Sequence, residues 1–206
     1  MSLSTSLRIA SLALACAVAA AFASPADAQR TGRFHARGTF ANGQGGITHV
    51  RGTAASGARG SAVRGGYTAT GADGSVQHRA GRAVQGANGG SYAGSNGYTR
   101  SADGSASRWH NGSGTTAAGG TVNTSGAYAR SADGSVSGSS QTSASGPRGS
   151  YDAGTSTANG VTQHTTSATN AAGDSYNGQT TYTKGQGFSH SGSCTDASGN
   201  VIACGH

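Results

Sequence analysis

Every leucine of this chain, and its single methionine, lies within the first fourteen residues. From residue 29 onward the large apolar stock is two isoleucines, eight valines and three phenylalanines, thirteen side chains in 178 residues. That is about 7 percent, far below the rough 20 percent beneath which a packed core becomes doubtful. All 37 glycines fall in the same stretch, and each one costs extra backbone entropy when it is ordered. The length permits a two-layer globular domain, but the composition does not. Whatever order the chain has must come from turns, strand pairing, stacked repeats and covalent closure.

The leucine-bearing segment reads as a secretory leader. Arg8 gives a short basic n-region, Ile9 to Ala23 run almost wholly apolar, and Ser24-Pro25 ends that helix-forming run. Ala26-Asp27-Ala28 then offers small residues where a signal peptidase reads them, which places cleavage between Ala28 and Gln29. Ala21-Phe22-Ala23 is a second, earlier site. The apolar run is shorter than the roughly 20 residues a membrane anchor needs. Cys16 lies in its middle rather than at its close, which argues against a lipoprotein. The expectation is an N-terminal signal helix over 1–28 and an exported chain from Gln29.

The remainder is periodic. Asp73-Gly74-Ser75, Asp103-Gly104-Ser105 and Asp133-Gly134-Ser135 recur every 30 residues, with Asn88-Gly89 and Gly119-Gly120 half-way between. Each unit of about 15 residues therefore ends in a turn signal, and the regularity argues for stacked units. Asp-Gly and Asn-Gly suit two-residue hairpins, whose central residues both take positive φ. Such a hairpin at Asp103-Gly104 would set Tyr98 opposite Trp109 and Thr99 opposite Arg108. Partial alternation between the turns, as in Val76, His78, Ala80, Arg82 and Val84, favours strands, while no apolar stripe of helical period persists.

The fold class expected is an all-β repeat array, either a single-layer meander or a β-solenoid with units of about 15 or 30 residues. Substantial disorder is the alternative that the low apolar content leaves open. The chain divides by composition into the leader (1–28), a basic Gly/Arg-rich segment (29–60), a Gly/Ser/Thr-rich β-repeat region (61–190) and a C-terminal hairpin (191–206). Cys194 and Cys204 are the two cysteines beyond the leader, flanking a turn and a Val-Ile pair. In an exported chain a disulfide between them is the leading reading.

Charge is lopsided. Residues 29–108 carry ten arginines against two aspartates, and residues 109–206 carry Arg130, Arg148 and Lys184 against four aspartates. The basic half suits a polyanion such as an anionic polysaccharide, lipid head groups or extracellular DNA. The candidate contacts are Arg33, Arg37, Arg51, Arg59, Arg64, Arg79, Arg82, Arg100 and Arg108. Gly-Arg steps with interspersed tyrosines also resemble an RNA-binding tail in composition, but the export signal argues against an intracellular nucleic acid.

No catalytic constellation stands out. Glutamate is absent from the chain, and Asp73, Asp103 and Asp133 are explained by their turns. There is no GxSxG stretch with strand and helix flanks, no HxH or HExxH spacing, and no GGxGxD series for calcium. His49, His78 and His110 lie near 30 residues apart, so stacked repeats could align them as a metal-binding ladder. The plainer reading is exposed polar strand residues, and no metal or cofactor is expected. Thr181 and Thr183 supply a TxT pair, but no comparable pair repeats at the 15-residue spacing, which ranks an ice-binding face low. The first functional expectation is an exported, non-enzymatic structural or adhesive repeat protein that self-associates or coats a surface. The second is a polyanion-binding module built on residues 29–108.

Overall fold

The computed structural model describes residues 32–204. The expected signal helix, its cleavage site, Arg30 and His206 lie outside the described residues. Thirteen strands follow one another. The first six are β1 (Gly32–Ala41), β2 (Ile47–Gly57), β3 (Gly60–Thr70), β4 (Val76–Gly86), β5 (Ser91–Arg100) and β6 (Ala106–Thr115). Next come β7 (Thr121–Arg130), β8 (Val136–Gly146), β9 (Gly149–Ala158) and β10 (Val161–Asn170). The last three are β11 (Ser175–Thr183), β12 (Gly187–Thr195) and the two-residue β13 (Val201–Ile202).

Each strand pairs antiparallel with its sequence neighbours, in one sheet ordered β1 to β13 without a crossover. This is the meander of the two ordered alternatives. The solenoid does not form, because successive strands reverse direction through hairpins instead of coiling. Pairing runs unbroken across residues 60 and 190, so one sheet carries the basic segment, the repeat region and the C-terminal hairpin. Among the described residues extensive contact runs only between hydrogen-bonded neighbours, and no second layer of strands packs on either side. Among the described residues no apolar side chain is buried. The buried positions are Thr48 and three glycines, Gly66, Gly97 and Gly120.

The turns differ from expectation in a way that matters. Counted between the residues paired across them, eight turns span five residues: 42–46, 71–75, 86–90, 101–105, 116–120, 131–135, 170–174 and 196–200, with Gly86 and Asn170 also ending β4 and β10. In the turn that holds Asp103-Gly104, Ser101 N–H donates to Ser105 O at 2.9 Å and Gly104 N–H donates to Ser101 O at 3.1 Å. Gly104 alone takes a positive φ, +85°. Asp103 caps the turn instead, accepting from Ser105 N–H at 2.9 Å and from the Ser105 hydroxyl at 2.7 Å. Asp73 and Asp133 accept from the matching backbone amides, Ser75 and Ser135, and Asn88 accepts from Gly90. Elsewhere the cap sits at the first turn position, as in Asn42, Thr116, Asn170 and Asp196. A two-residue Asn-Gly hairpin occurs once among the described residues, at Asn159-Gly160, where both residues have positive φ, 53° and 77°.

The longer turn corrects the expected register. Tyr98 pairs with Arg108 and Trp109 pairs with Gly97. Because successive side chains on a strand point to opposite faces, that one-residue difference decides which side of the sheet each residue occupies.

Glycines and rings replace a core. A side chain added at Gly97 would meet the Trp109 indole, so the ring lies against the β5 backbone there. Tyr92 covers Gly94 and Gly112, Tyr128 covers Gly138, Tyr176 covers Gly178 and Gly192, and His110 covers Gly126. These are aromatic side chains laid over bare backbone within a sheet. They shield hydrogen-bonded strands from water where no second layer does so.

The far edge is closed covalently. Cys194 and Cys204 form a disulfide with Cα atoms 5.3 Å apart, tying the tail after β13 to β12. The sequence expectation of a C-terminal disulfide hairpin holds.

Candidate polyanion-binding face

Strands of ten or eleven residues joined by five-residue turns preserve residue parity across each pairing. From β3 to β8, every even-numbered residue therefore shares one face. Two-residue turns reverse the parity. The turn at 58–59 shifts this face to odd numbers in β2 and β1. The turns at 147–148 and 159–160 make it odd in β9 and even again from β10.

The chemistry follows those reversals. Arg33 and Arg37 from β1, Arg51 from β2, Arg64 from β3, Arg82 from β4, Arg100 from β5, Arg108 from β6 and Arg130 from β7 all lie on this one face. Each of seven consecutive strands contributes at least one guanidinium, over a width of about 29 Å at the usual strand spacing. All six described histidines share the face: His35, His49, His78, His110, His164 and His190. Six of the seven tyrosines lie there too, with Tyr67 on the reverse.

Among the described residues no strand carboxylate stands on this face. Asp152, the one strand-borne aspartate among the described residues, points to the reverse side from β9, and the others sit in turns at the sheet ends. Ser105 holds the Asp103 carboxyl below its ordinary value, through the side-chain hydroxyl first and then its backbone N–H. Ser75 acts likewise on Asp73; Ser135 lowers Asp133 through its backbone N–H first and then its hydroxyl, and Asn200 lowers Asp196 through its side-chain amide and then its backbone N–H.

Two residues expected to act with the arginine set do not join it. Arg79 lies on the reverse face, its Cζ 5.8 Å from the Trp109 ring centroid, and Arg59 sits in the turn between β2 and β3. Arg130 does join, although charge counting over residues 29–108 left it out. The signal that would have found it is parity, which places it in line with Arg100 and Arg108.

Cross-strand contacts organise the face. Arg82 lies over Tyr92 at 4.9 Å and Arg108 over Tyr128 at 5.0 Å. His78 and Tyr98 stack with centroids 5.5 Å apart. Four threonine–histidine pairs repeat one geometry, in which Oγ1 shares a hydrogen bond with Nδ1: Thr39–His49, Thr68–His78, Thr155–His164 and Thr180–His190, at 2.8 to 2.9 Å. His49 and His78 share a cross-strand row but are separated by Thr68 on β3. His110 lies in the neighbouring row, opposite Asn96. The ladder of adjacent histidines that stacked repeats could have formed does not form.

The reverse face is different in kind. From β5 onward it is mostly Ser, Thr, Asn, Gln and small residues. Between β7 and β12 it forms a polar trough of about 840 Å³, with Gln141, Asp152, Gln163, Asn177 and Gln179 among its lining residues. Nearer one end, hydroxyls zip neighbouring strands at Ser91–Thr115, Thr121–Ser145 and Ser175–Thr195.

No family model, curated protein or solved structure shows a significant match to this chain.

Proposed function

We propose that this chain is an exported, non-enzymatic β-sheet protein of structural or adhesive role, which lies against a polyanionic polymer or surface through its arginine-bearing face. The observation that carries this reading is the set of eight arginines from seven adjacent strands on a face without a strand carboxylate among the described residues. In a folded sheet with balanced solubilising charge, both signs would be expected on each face. A flat field of one sign instead raises the local concentration of a counter-charged polymer and speeds its capture. The leader and the disulfide agree with an extracellular or periplasmic setting after cleavage near Ala28-Gln29. The partners that fit are anionic polysaccharide, lipid head groups or released DNA, rather than an intracellular nucleic acid.

The test is binding of charge-matched linear polyanions across a salt series. Affinity should fall steeply between 50 and 200 mM salt as condensed counterions are no longer released to advantage. Binding that ignores salt would overturn the proposal.

A second reading, self-association through strand edges, has its own support. Among the described residues nothing pairs with the outer edge of β1 over Gly32–Ala41, and β13 covers only Cys194 and Thr195 of β12. Long edges without cover template pairing with another copy. Assembly of this kind should persist in high salt, which separates it from charge-driven binding.

A further inference from the structure

We infer that the preferred partner of the arginine-bearing face is single-stranded nucleic acid, recognised by ring stacking as well as by charge. This rests on the polyanion reading above and narrows it. Charge alone does not distinguish a sulfated glycan from a nucleic acid strand, but rings set among the guanidinium groups do, and of these Tyr98 is exposed while His78 and Tyr128 are half-buried.

The rings form a row. Thr68, His78, Tyr98, Arg108 and Tyr128 are successive cross-strand partners from β3 to β7. His78 and Tyr98 are already stacked, their planes 25° apart, and Tyr98 keeps 42% of its surface exposed. Arg108 caps Tyr128, adding a planar guanidinium to the same platform. Two residues beyond each tyrosine on the same strand, and therefore on the same face, stand Arg100 and Arg130. Their separation along the strand is about 6.6 Å. The Tyr98-x-Arg100 step thus offers an exposed ring for a base and a guanidinium for the adjoining phosphate. At Tyr128, half-buried beneath Arg108, the guanidinium plane stacked on the ring is what a base would meet. The Tyr-x-Arg step occurs in β5 and again in β7, two strands and about 9.6 Å apart. That distance spans about three nucleotides of a stacked strand at roughly 3.4 Å each. Stacking of this sort tolerates any sequence, because every base has a π face.

A duplex hides its bases from such a platform, and a sulfated polysaccharide has no aromatic base to stack. The chain's single tryptophan gives an independent reading of the side used, since Trp109 lies on the reverse face against Arg79.

The experiment uses the full chain with three probes at 150 mM salt: a fluorescein-labelled 20-mer of oligo-dT, a 20-base-pair duplex, and dextran sulfate of matched charge. Oligo-dT should bind at least tenfold more tightly than the other two. It should quench tyrosine emission and leave Trp109 emission unchanged. The double variant Tyr98→Leu/Tyr128→Leu keeps apolar cover over the strands but removes the rings. It should weaken oligo-dT by about tenfold per ring, while dextran sulfate changes less than twofold. Tyr98→Phe/Tyr128→Phe should retain the wild-type preference. Equal affinity for all three probes, with no effect of the leucine variant, would overturn the stacking inference and leave the polyanion reading standing. Quenching of Trp109 would overturn the assignment to this face. Failure of every probe to bind at low salt would remove both readings.

Discussion

Replacing Gly97 with alanine tests the claim that rings on bare backbone stand in for a core. Gly97 is buried, and it pairs with Arg79 on one side and Trp109 on the other. A Cβ there would stand 2.8 Å from the His78 carbonyl oxygen and 2.8 Å from Trp109 Nε1. The indole can swing aside, but the carbonyl belongs to the neighbouring strand and cannot move without bending the ladder. Overpacking of this kind costs about 1–3 kcal/mol. Displacing the ring also weakens the Arg79 contact, a further loss of about 0.5–1 kcal/mol at an exposed site. Against this, alanine narrows the unfolded ensemble and returns about 0.4–1 kcal/mol. The net expectation is a destabilisation of about 2 kcal/mol. At m-values of about 1–3 kcal/mol per molar urea, the midpoint falls by about 1 M. The assay is urea unfolding followed by the emission of Trp109, which should also shift to the red in the folded state as the indole leaves the strand. Gly52→Ala is the matched control, because its Cβ would meet only Arg64 O at 3.9 Å, an ordinary contact. If Gly97→Ala unfolds with the control and Trp109 emission does not move, the ring-over-glycine account is wrong.

Other expectations follow from the turns, the faces and the edge. Arg82→Gln should lower the salt slope of binding to oligo-dT by about 0.7, the contribution of one phosphate contact on a single strand. Arg79→Gln, three residues away on the reverse face, should leave the slope unchanged. Gly104→Ala puts a Cβ into open space but forces an L-residue to φ +85°, so thermal unfolding should show a loss of about 1–2 kcal/mol from backbone strain alone. The four turn aspartates are held below their ordinary value when folded, so their stabilisation is complete above the unfolded value, about 4. It is lost as pH falls through the lower folded values. Acid titration followed by circular dichroism should show strand loss beginning below that point, and Asp103→Asn should reduce the turn's share of it. Replacing Cys194 and Cys204 by serine should raise amide exchange in β12 and β13, while β3 to β7 keep their protection.

Much of this architecture was legible in the amino-acid sequence. The scarcity of large apolar residues from residue 29 onward excluded a layered core, and among the described residues no apolar side chain is buried. The 15-residue period announced a strand and a turn per unit, and the cysteine pair announced the closed end. The meander could not be separated from the solenoid, because both repeat Gly, Thr and Ser at the same interval. Disorder was left open because propensity alone cannot count the backbone hydrogen bonds that thirteen paired strands share.

What the sequence could not decide was the register. Asp-Gly fits a two-residue hairpin, in which both residues take positive φ. It also fits a five-residue turn, in which Gly104 alone does so and Asp103 caps the Ser105 amide. The two differ by one residue in the pairing. With a side-chain period of two, that difference exchanges the faces at every turn. Under the shorter turn the arginines would have scattered across both faces among the serines. The pairing across the five-residue turns, with parity reversed only at the two-residue connections, gathers arginine, histidine and tyrosine on one side and leaves the hydroxyls and amides on the other. Composition determined that this chain would be a coreless, basic β array; only the hydrogen-bonded register made it two-faced.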